Sequence, residues 1–172
     1  MSDPYGAVAV PVDRFGRPLA AWWQRLVAIV IDLLILGVPK GLLIGAVSNV
    51  GSAGAGLFSS GWSVGVVVFG ILFAGIDLAY FAFLNGSEHG QTLGQMFLGI
   101  AVRDDASGGA IGPQRGGLRI LVLYPGILLS WLPLVGSLLW IYTLIAALSP
   151  LWDRRRHGFH DKVAGTDVIK TR

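Results

Sequence analysis

The chain contains no cysteine and few charged residues. Of its 172 residues, 13% are charged and 53% are hydrophobic, whereas a soluble domain usually carries about 25% charged residues. The missing cysteine excludes disulfides, thiolate nucleophiles and iron–sulfur clusters. With so little charge to cover a water-facing surface, the composition indicates an integral membrane protein. The 25 glycines and six tryptophans suit membrane helices, which use small residues for close packing and Trp at the interfaces.

The sequence also lacks the motifs of several enzyme and cofactor-binding classes. It has no Walker A motif, no GxSxG elbow and no recognisable catalytic triad. No histidine falls inside an apolar stretch, so a membrane haem would have no paired axial ligands. We therefore expect neither an enzyme nor a cofactor. The N-terminal segment has an early Asp3 and no apolar core, so the first apolar stretch is expected to act as an uncleaved anchor.

Three apolar stretches predict membrane helices, at 21–47, 61–84 and 118–150. A crossing takes about 20 residues, so the first two are single spans. The third stretch is too long for one span and slightly short for two. Its motif SWLPLVGS, with Pro133 and Gly136, predicts a turn between two short helices. The expected fold is all-α, with four transmembrane helices in two hairpins, and a re-entrant hairpin at 118–150 is the alternative.

The basic residues mark the predicted topology. Twelve of the thirteen Lys and Arg lie before or at the start of the first stretch, between the second stretch and the start of the third, or after Pro150, and Lys40 is the exception. By the positive-inside rule, both termini and the loop 85–117 face the cytoplasm. The net charge of +3 is therefore a topology signal. The lipid bilayer is the expected partner, and nucleic acid is not.

The two predicted cytoplasmic regions share one pattern. The loop 85–117 and the C-terminal tail each predict a short helix followed by a strand. We expect Gly99–Arg103 to pair with Thr166–Lys170. The chain is therefore predicted to divide into three sections. They are a cytoplasmic N-terminal segment (1–20), a transmembrane domain (21–150) and a cytoplasmic C-terminal tail that belongs to that domain (151–172).

A weak internal repeat relates the two hairpins. In each, an Arg precedes a Pro by fourteen residues, namely Arg25 before Pro39 and Arg119 before Pro133. A His-Gly pair then opens each helix–strand segment. Duplication of a two-helix unit would produce this pattern, as in many transporters. Chance is the alternative, because interface arginines, prolines and glycines are common.

Asp32 lies inside the first predicted span, where a carboxylate costs about 2.5 to 3.5 kcal/mol. Arg25 is seven residues earlier on the same helical face, about 10 Å along the axis. Asp77 is predicted at about the depth of Asp32, so the two acids could form a proton or cation site. Alternatively, an Arg–Asp pair locks the helices together and Asp77 contacts Tyr80 or a backbone amide. Lys40 is expected to extend to water.

The three histidines are the only nitrogen ligands of the kind that metal sites use. His157 and His160 are three residues apart with Asp161 adjacent, and His89 lies in the other loop. However, the neighbouring arginines at 154–156 would repel a cation. No metal site is therefore predicted.

Charged residues and two loop motifs follow one another in a fixed order, namely Arg25, Asp32, GQTLGQMFLGIAVRD (90–104), Arg119 and RRRHGFHDKVAGTDVI (154–169). Together they resemble the RDD family of small prokaryotic membrane proteins over about residues 20–170. That family is named for one Arg and two Asp, which the resemblance places at Arg25, Asp32 and Asp161. The resemblance implies a bacterial inner-membrane location, and it suggests transport without identifying a substrate.

Two functions from different classes are expected. A small cation- or proton-coupled transporter, working as an oligomer, would use Asp32 as the ion-carrying group, with Asp77 assisting. A non-transporting accessory or assembly subunit of a larger membrane complex would use Arg25, Asp32 and Asp161 as a structural charge network. In that network we expect the C-terminal helix to dock under the bundle with Arg25 between the two acids. Secondary candidates are Arg119, His157 and His160.

Overall fold

The computed structural model describes residues 10–51, 64–129, 133–153 and 156–172. Within these ranges the protein is mostly helical, with one two-stranded sheet. The helices are α1 (Trp22–Gly51), α2 (Val64–Gly86), α3 (Leu93–Leu98), α4 (Gly112–Leu123), α5 (Gly126–Leu129), α6 (Pro133–Leu148) and α7 (Phe159–Ala164). The strands are β1 (Ile100–Asp104) and β2 (Thr166–Lys170), and a 3₁₀ turn at Ser149–Leu151 follows α6.

α1 and α2 match the first two predicted spans. Among the described residues, the segments Trp22–Ala46 and Val68–Gly86 are long and apolar enough to cross a membrane. Many of their apolar side chains face outward, so that Leu42 is 71% exposed and Ile71 is 60% exposed. Such a surface is unfavourable in water and suits a lipid environment.

The third apolar stretch was expected to form two short helices, but its described residues form three, α4, α5 and α6. α4 ends at Leu123, because Pro125 has no N–H to donate and disfavours a helical conformation at Tyr124. The turn predicted at Pro133–Gly136 is wrong, since these residues open α6, while residues 130–132 lie outside the described part of the chain. Neither α4, α5 nor α6 reaches the roughly 20 residues of a full crossing, so the count of four transmembrane helices stays a prediction.

Each short helix turns directly into a strand. Gly99 follows α3 as its C-cap and Gly165 follows α7 as its C-cap, and both glycines have φ of 60°. An L-residue is strained in this left-handed region, whereas glycine adopts it readily. The sequence therefore builds the same helix–glycine–strand unit twice, which supports the repeat seen in the sequence. The Arg–Pro spacing is not part of it, because Pro39 lies inside α1 and Pro133 begins α6.

β1 and β2 form an antiparallel pair in which Val102 lies opposite Val168. This confirms the predicted pairing, with β1 starting one residue later than expected. Residues 18–20 extend the sheet along the free edge of β2, where the N–H of Ala20 donates to the carbonyl of Val168 at 2.8 Å and Leu19 bridges Ile169. We call residues 18–20, α3, β1, α7 and β2 the cap.

A buried apolar cluster joins the cap to α1. Ala20, just before α1, and Ala28, within α1, pack with Ile100, Val102 and Val168 from the sheet. α3 packs against α1, α7 packs against α4, and α4 packs against α2. The cap is thus fixed to the ends of α1 and α4, where the charged residues of the sequence lie.

Candidate functional site

Asp161 connects the cap to two membrane-domain helices. It lies in the first turn of α7 and is fully buried. Its Oδ2 accepts from Nη1 of Arg25 on α1 at 2.6 Å, and its Oδ1 lies 2.7 Å from Nη2 of Arg119 on α4. The N–H of Gly158 also donates to Oδ2, at 2.9 Å. One carboxylate is therefore held by two guanidinium groups that are themselves buried.

The neighbouring His160 is buried and uncharged. Burial disfavours its charged form and lowers the pKa of His160 to about 4. Burial alone would raise the pKa of Asp161, but His160, which is protonated in the acid range below about pH 4, together with Arg119, Arg25 and the N–H of Gly158 holds it well below its usual range. Asp161 is thus ionised at neutral pH, and its two arginine partners exceed it by one positive charge.

Asp32 attaches the other half of the cap. It is 1% exposed, and its carboxylate accepts hydrogen bonds from three donors. The hydroxyls of Tyr80 and Thr92 each donate at 2.6 Å, and the N–H of Gly94 donates at 2.8 Å. Thr92 is the N-cap of α3 and accepts from the N–H of Gln95. Asp32 therefore fixes the first turn of α3 against α1 and α2.

The expected order of charges, with Arg25 between Asp32 and Asp161, is wrong. The docking of α7 through Arg25 is confirmed, but Asp161 lies between Arg25 and Arg119. Among the described residues no hydrogen bond or ion pair joins Arg25 to Asp32. The reason is that Tyr80 of α2 and the first residues of α3 together bring three uncharged donors to Asp32, which satisfy the carboxylate without a cation.

The acid on the second long helix, Asp77, has a partner that was not predicted from the sequence. Nζ of Lys40 lies 2.7 Å from both carboxylate oxygens of Asp77 and 5.9 Å from the ring centre of Phe73. Lys40 therefore does not extend to water as expected. Asp77 has its counter-ion on the adjacent helix, and the predicted proton or cation site of Asp32 and Asp77 stays a prediction.

The histidines have separate roles. Nε2 of His157 contacts the Asp167 carboxylate, and this hydrogen bond raises the pKa of His157. His160 lines the interior beside Asp161, and His89 is exposed in the loop before α3. In the part of the chain that the structure describes, no three His, Cys, Asp or Glu side chains are grouped as metal ligands.

A cavity of about 80 Å³ lies between α1, α2, α4, α6 and the cap. Arg25, Asn85 and His160 line its end nearest the cap, and Leu33 and Trp140 line it farther along the helices. Neither the cavity nor Asn85 is predictable from the sequence, because a lone Asn at the end of an apolar helix carries no distinctive signal.

Comparison with known proteins gives one match. A family model described as the RDD family matches residues 19–165, which confirms the resemblance found in the sequence. No curated protein and no solved structure matches the chain. The matched region contains Arg25, Asp32, Arg119 and Asp161 and both helices long enough to span, and it indicates a membrane protein. Since the model matches well over half of the sequence, this chain belongs to the RDD family.

Proposed function

We propose that the protein is a non-transporting accessory or assembly subunit of a larger membrane complex. The observation that carries this proposal is the saturation of Asp32, whose carboxylate is held by three protein donors from α2 and the cap. A carboxylate that carries an ion must exchange its partners for that ion. Here the exchange would release α3 from the bundle, so the geometry favours a structural role.

The placement of charge supports a specific topology for this subunit. Basic side chains lie beside the cap. Arg115 on α4, for example, donates to the carboxylate of Asp104 and to the carbonyls of Ala164 and Gly165. We place the cap and both termini in the cytoplasm of a bacterial cell, beneath a four-pass domain in the inner membrane. The outward apolar faces of α1 and α2 would then contact lipid, a second copy of the chain or helices of a partner subunit.

Ion flux in proteoliposomes tests this proposal. Purified full-length chain would be reconstituted with a pH gradient and a pH-sensitive dye, then challenged with Na⁺, K⁺ and Li⁺. We expect no cation-dependent collapse of the gradient from protein that is folded in the same vesicles, as judged by circular dichroism. A collapse that is abolished by Asp32→Asn would overturn the accessory role.

A small cation- or proton-coupled transporter is the second candidate, and two observations favour it. Asp32 lines the cavity, and Lys40 and Asp77 form an ion pair between the two long helices. In this mechanism Asp32 carries the ion and Asp77 assists from the neighbouring pair. The same flux assay separates the candidates, because Asp77→Asn would reduce flux in a transporter and would leave an accessory subunit silent.

A further inference from the structure

One side of α3 is apolar and exposed. Leu93, Met96 and Phe97 share it, because residues three and four positions apart lie on one side of a helix, and Phe97 is 70% exposed. We call these three residues the outward face of α3. At the position that corresponds to Met96, α7 carries Lys162, which donates to Asp153. The outward face of α3 has no such charge, so it suits surroundings with less water than those of α7.

α3 lies beside a part of α1 that is well inside the first candidate span, which begins at Trp22. Gly94 lies against the carbonyl oxygen of Ala28 and donates its N–H to Asp32 at 2.8 Å. These two residues of α1 are about 9 and 15 Å along the helix axis from Trp22, at 1.5 Å per residue. One leaflet accounts for about 15 Å of the hydrocarbon core. The first turn of α3 is therefore level with the interior of a leaflet.

Both long helices present apolar side chains outward at this level. On α1, Val27 and Val30 flank Ala28 in the sequence and are exposed. On α2, the hydroxyl of Tyr80 contacts the start of α3, and Phe83, nearer the end of α2 that leads to the cap, is exposed. The apolar surface of the spanning helices therefore continues past α3 toward the cap.

The first four backbone N–H groups of α3, from Thr92 to Gln95, all donate to protein atoms. In chain order their acceptors are Oε1 of Gln95, the hydroxyl of Tyr80, the carboxylate of Asp32 and Oγ1 of Thr92. At the other end of α3, Arg172 donates to the carbonyls of Met96 and Phe97. A helix end in water can leave such groups to the solvent, whereas backbone groups at membrane depth must be satisfied by the protein. α3 meets this stricter requirement at its first turn.

We propose that α3 is a short re-entrant helix, embedded in the leaflet next to the cap with its outward face against lipid acyl chains. Residues 87–92 enter the bilayer and β1 leaves it on the same side, so that the sheet lies at the membrane surface. This proposal rests on the membrane location of α1. It holds equally for an accessory subunit and for a transporter.

Spin labelling tests the depth of α3, because the chain has no native cysteine to compete for the label. Phe97→Cys, Leu42→Cys and Ala106→Cys would each carry one nitroxide in vesicles of phosphatidylcholine and phosphatidylglycerol in equal parts. Electron paramagnetic resonance then compares collisions of the label with oxygen, which concentrates among acyl chains, and with a water-soluble nickel chelate. Leu42, exposed on α1, is the reference in lipid. Ala106, exposed in the turn after β1, is the reference in water.

We expect the label at position 97 to match the one at position 42, with collisions that favour oxygen several-fold, and the label at position 106 to favour the nickel chelate. Met96→Cys on the same face repeats the measurement if circular dichroism shows that Phe97→Cys is unfolded.

Three other results would overturn the proposal. A label on α3 that meets the nickel chelate as often as the one at position 106 would place α3 in water. Few collisions with either reagent would show that protein covers the outward face, as in contact with a second copy of the chain. Access of the nickel chelate to position 42 would remove α1 from the bilayer, and with it the membrane location on which the proposal rests.

Discussion

α3 and α7 are matching helices of the cap, yet the carboxylate that attaches each one lies on the opposite side of the contact. For α3 the acid is Asp32 on the spanning helix, and the donors include Thr92 and Gly94 of the cap. For α7 the acid is Asp161 on the cap helix, and the donors include Arg25 of α1. The two attachments therefore differ in what remains when the acid is removed: only uncharged donors remain around Asp32, whereas two buried guanidinium groups remain around Asp161.

The remaining contacts of the two helices correspond closely. The N–H of Leu93 at the start of α3 donates to the hydroxyl of Tyr80 at 3.1 Å, and that of Phe159 at the start of α7 donates to the hydroxyl of Ser149 at 3.0 Å. Both hydroxyls lie in the hairpin that precedes the helix. A two-fold repeat can thus keep its backbone contacts while the charged contact changes sides.

The largest effect should come from Asp161→Asn, which leaves Arg25 and Arg119 buried together without a counter-ion. Loss of one partner from a buried pair costs about 3 to 5 kcal/mol, and we expect a corresponding loss of unfolding free energy in detergent. Asp105→Asn is the control, because its bridge to Arg14 is partly exposed and such pairs contribute at most about 1 kcal/mol. Equal losses in both variants would contradict the assigned role of Asp161.

Acidification should weaken the α7 attachment. The pKa of His160 is about 4 in the folded chain and about 6.5 when unfolded, so below pH 6.5 the unfolded state binds more protons. Stability is fully present above about pH 6.5, and about 3 kcal/mol is lost as the pH falls toward 4. The measurement is Tm against pH for the wild type and for His160→Gln.

His157 acts in the opposite direction and must be separated from this effect. Its raised pKa gives a contribution that is present below its unfolded pKa and is lost as the pH rises through the folded value. In His157→Gln, the decrease in stability with rising pH that is due to His157 should therefore disappear. An acid-induced loss that survives His160→Gln unchanged would show that another group is responsible.

Asp32→Asn should release α3 while α7 stays attached. The amide loses the charge that strengthens three hydrogen bonds, which we expect to cost about 2 to 3 kcal/mol. Hydrogen exchange of the backbone amides measures this locally, with faster exchange expected in α3 and β1. If α7 exchanges as fast as α3 in this variant, the two attachments are not separate.

A smaller effect is expected from Gly94→Ala. A Cβ at this position would overlap the carbonyl oxygen of Ala28, so α3 must move away from α1. Overpacking of this kind costs about 1 to 2 kcal/mol here, and a shift in Tm is the measurement. Gly37→Ala is the matched control on α1, because its Cβ would meet nothing within 4 Å and should leave Tm unchanged or raise it.

The parts of the fold that were predictable are those with local signals. Length and apolar content indicated α1 and α2, and the glycine-bounded patterns indicated the pairing of β1 with β2. The partners of Asp32 were missed because Thr92 and Gly94 lie in a loop whose polarity indicated only solvent. The end of α4 before Tyr124 was also missed. Apolar content does not distinguish one helix from two, and Pro125 is the only local signal of the break. The role of Arg119 depends on a contact between distant segments, which composition and spacing do not encode.

The pairing of Arg25 with Asp161 also has a consequence for how the protein is made. These residues are 136 positions apart, and translation adds about 5 to 20 residues each second. On the nascent chain, Arg25 is therefore without Asp161 for about 7 to 27 seconds after it is synthesised. During that interval the guanidinium group of Arg25 on α1 lacks this counter-ion, and so does that of Arg119 on α4 once α4 has been made. Because residues 18–20 flank β2, the sheet joins early-made to late-made chain, and synthesis of α7 and β2 is the step that closes the fold.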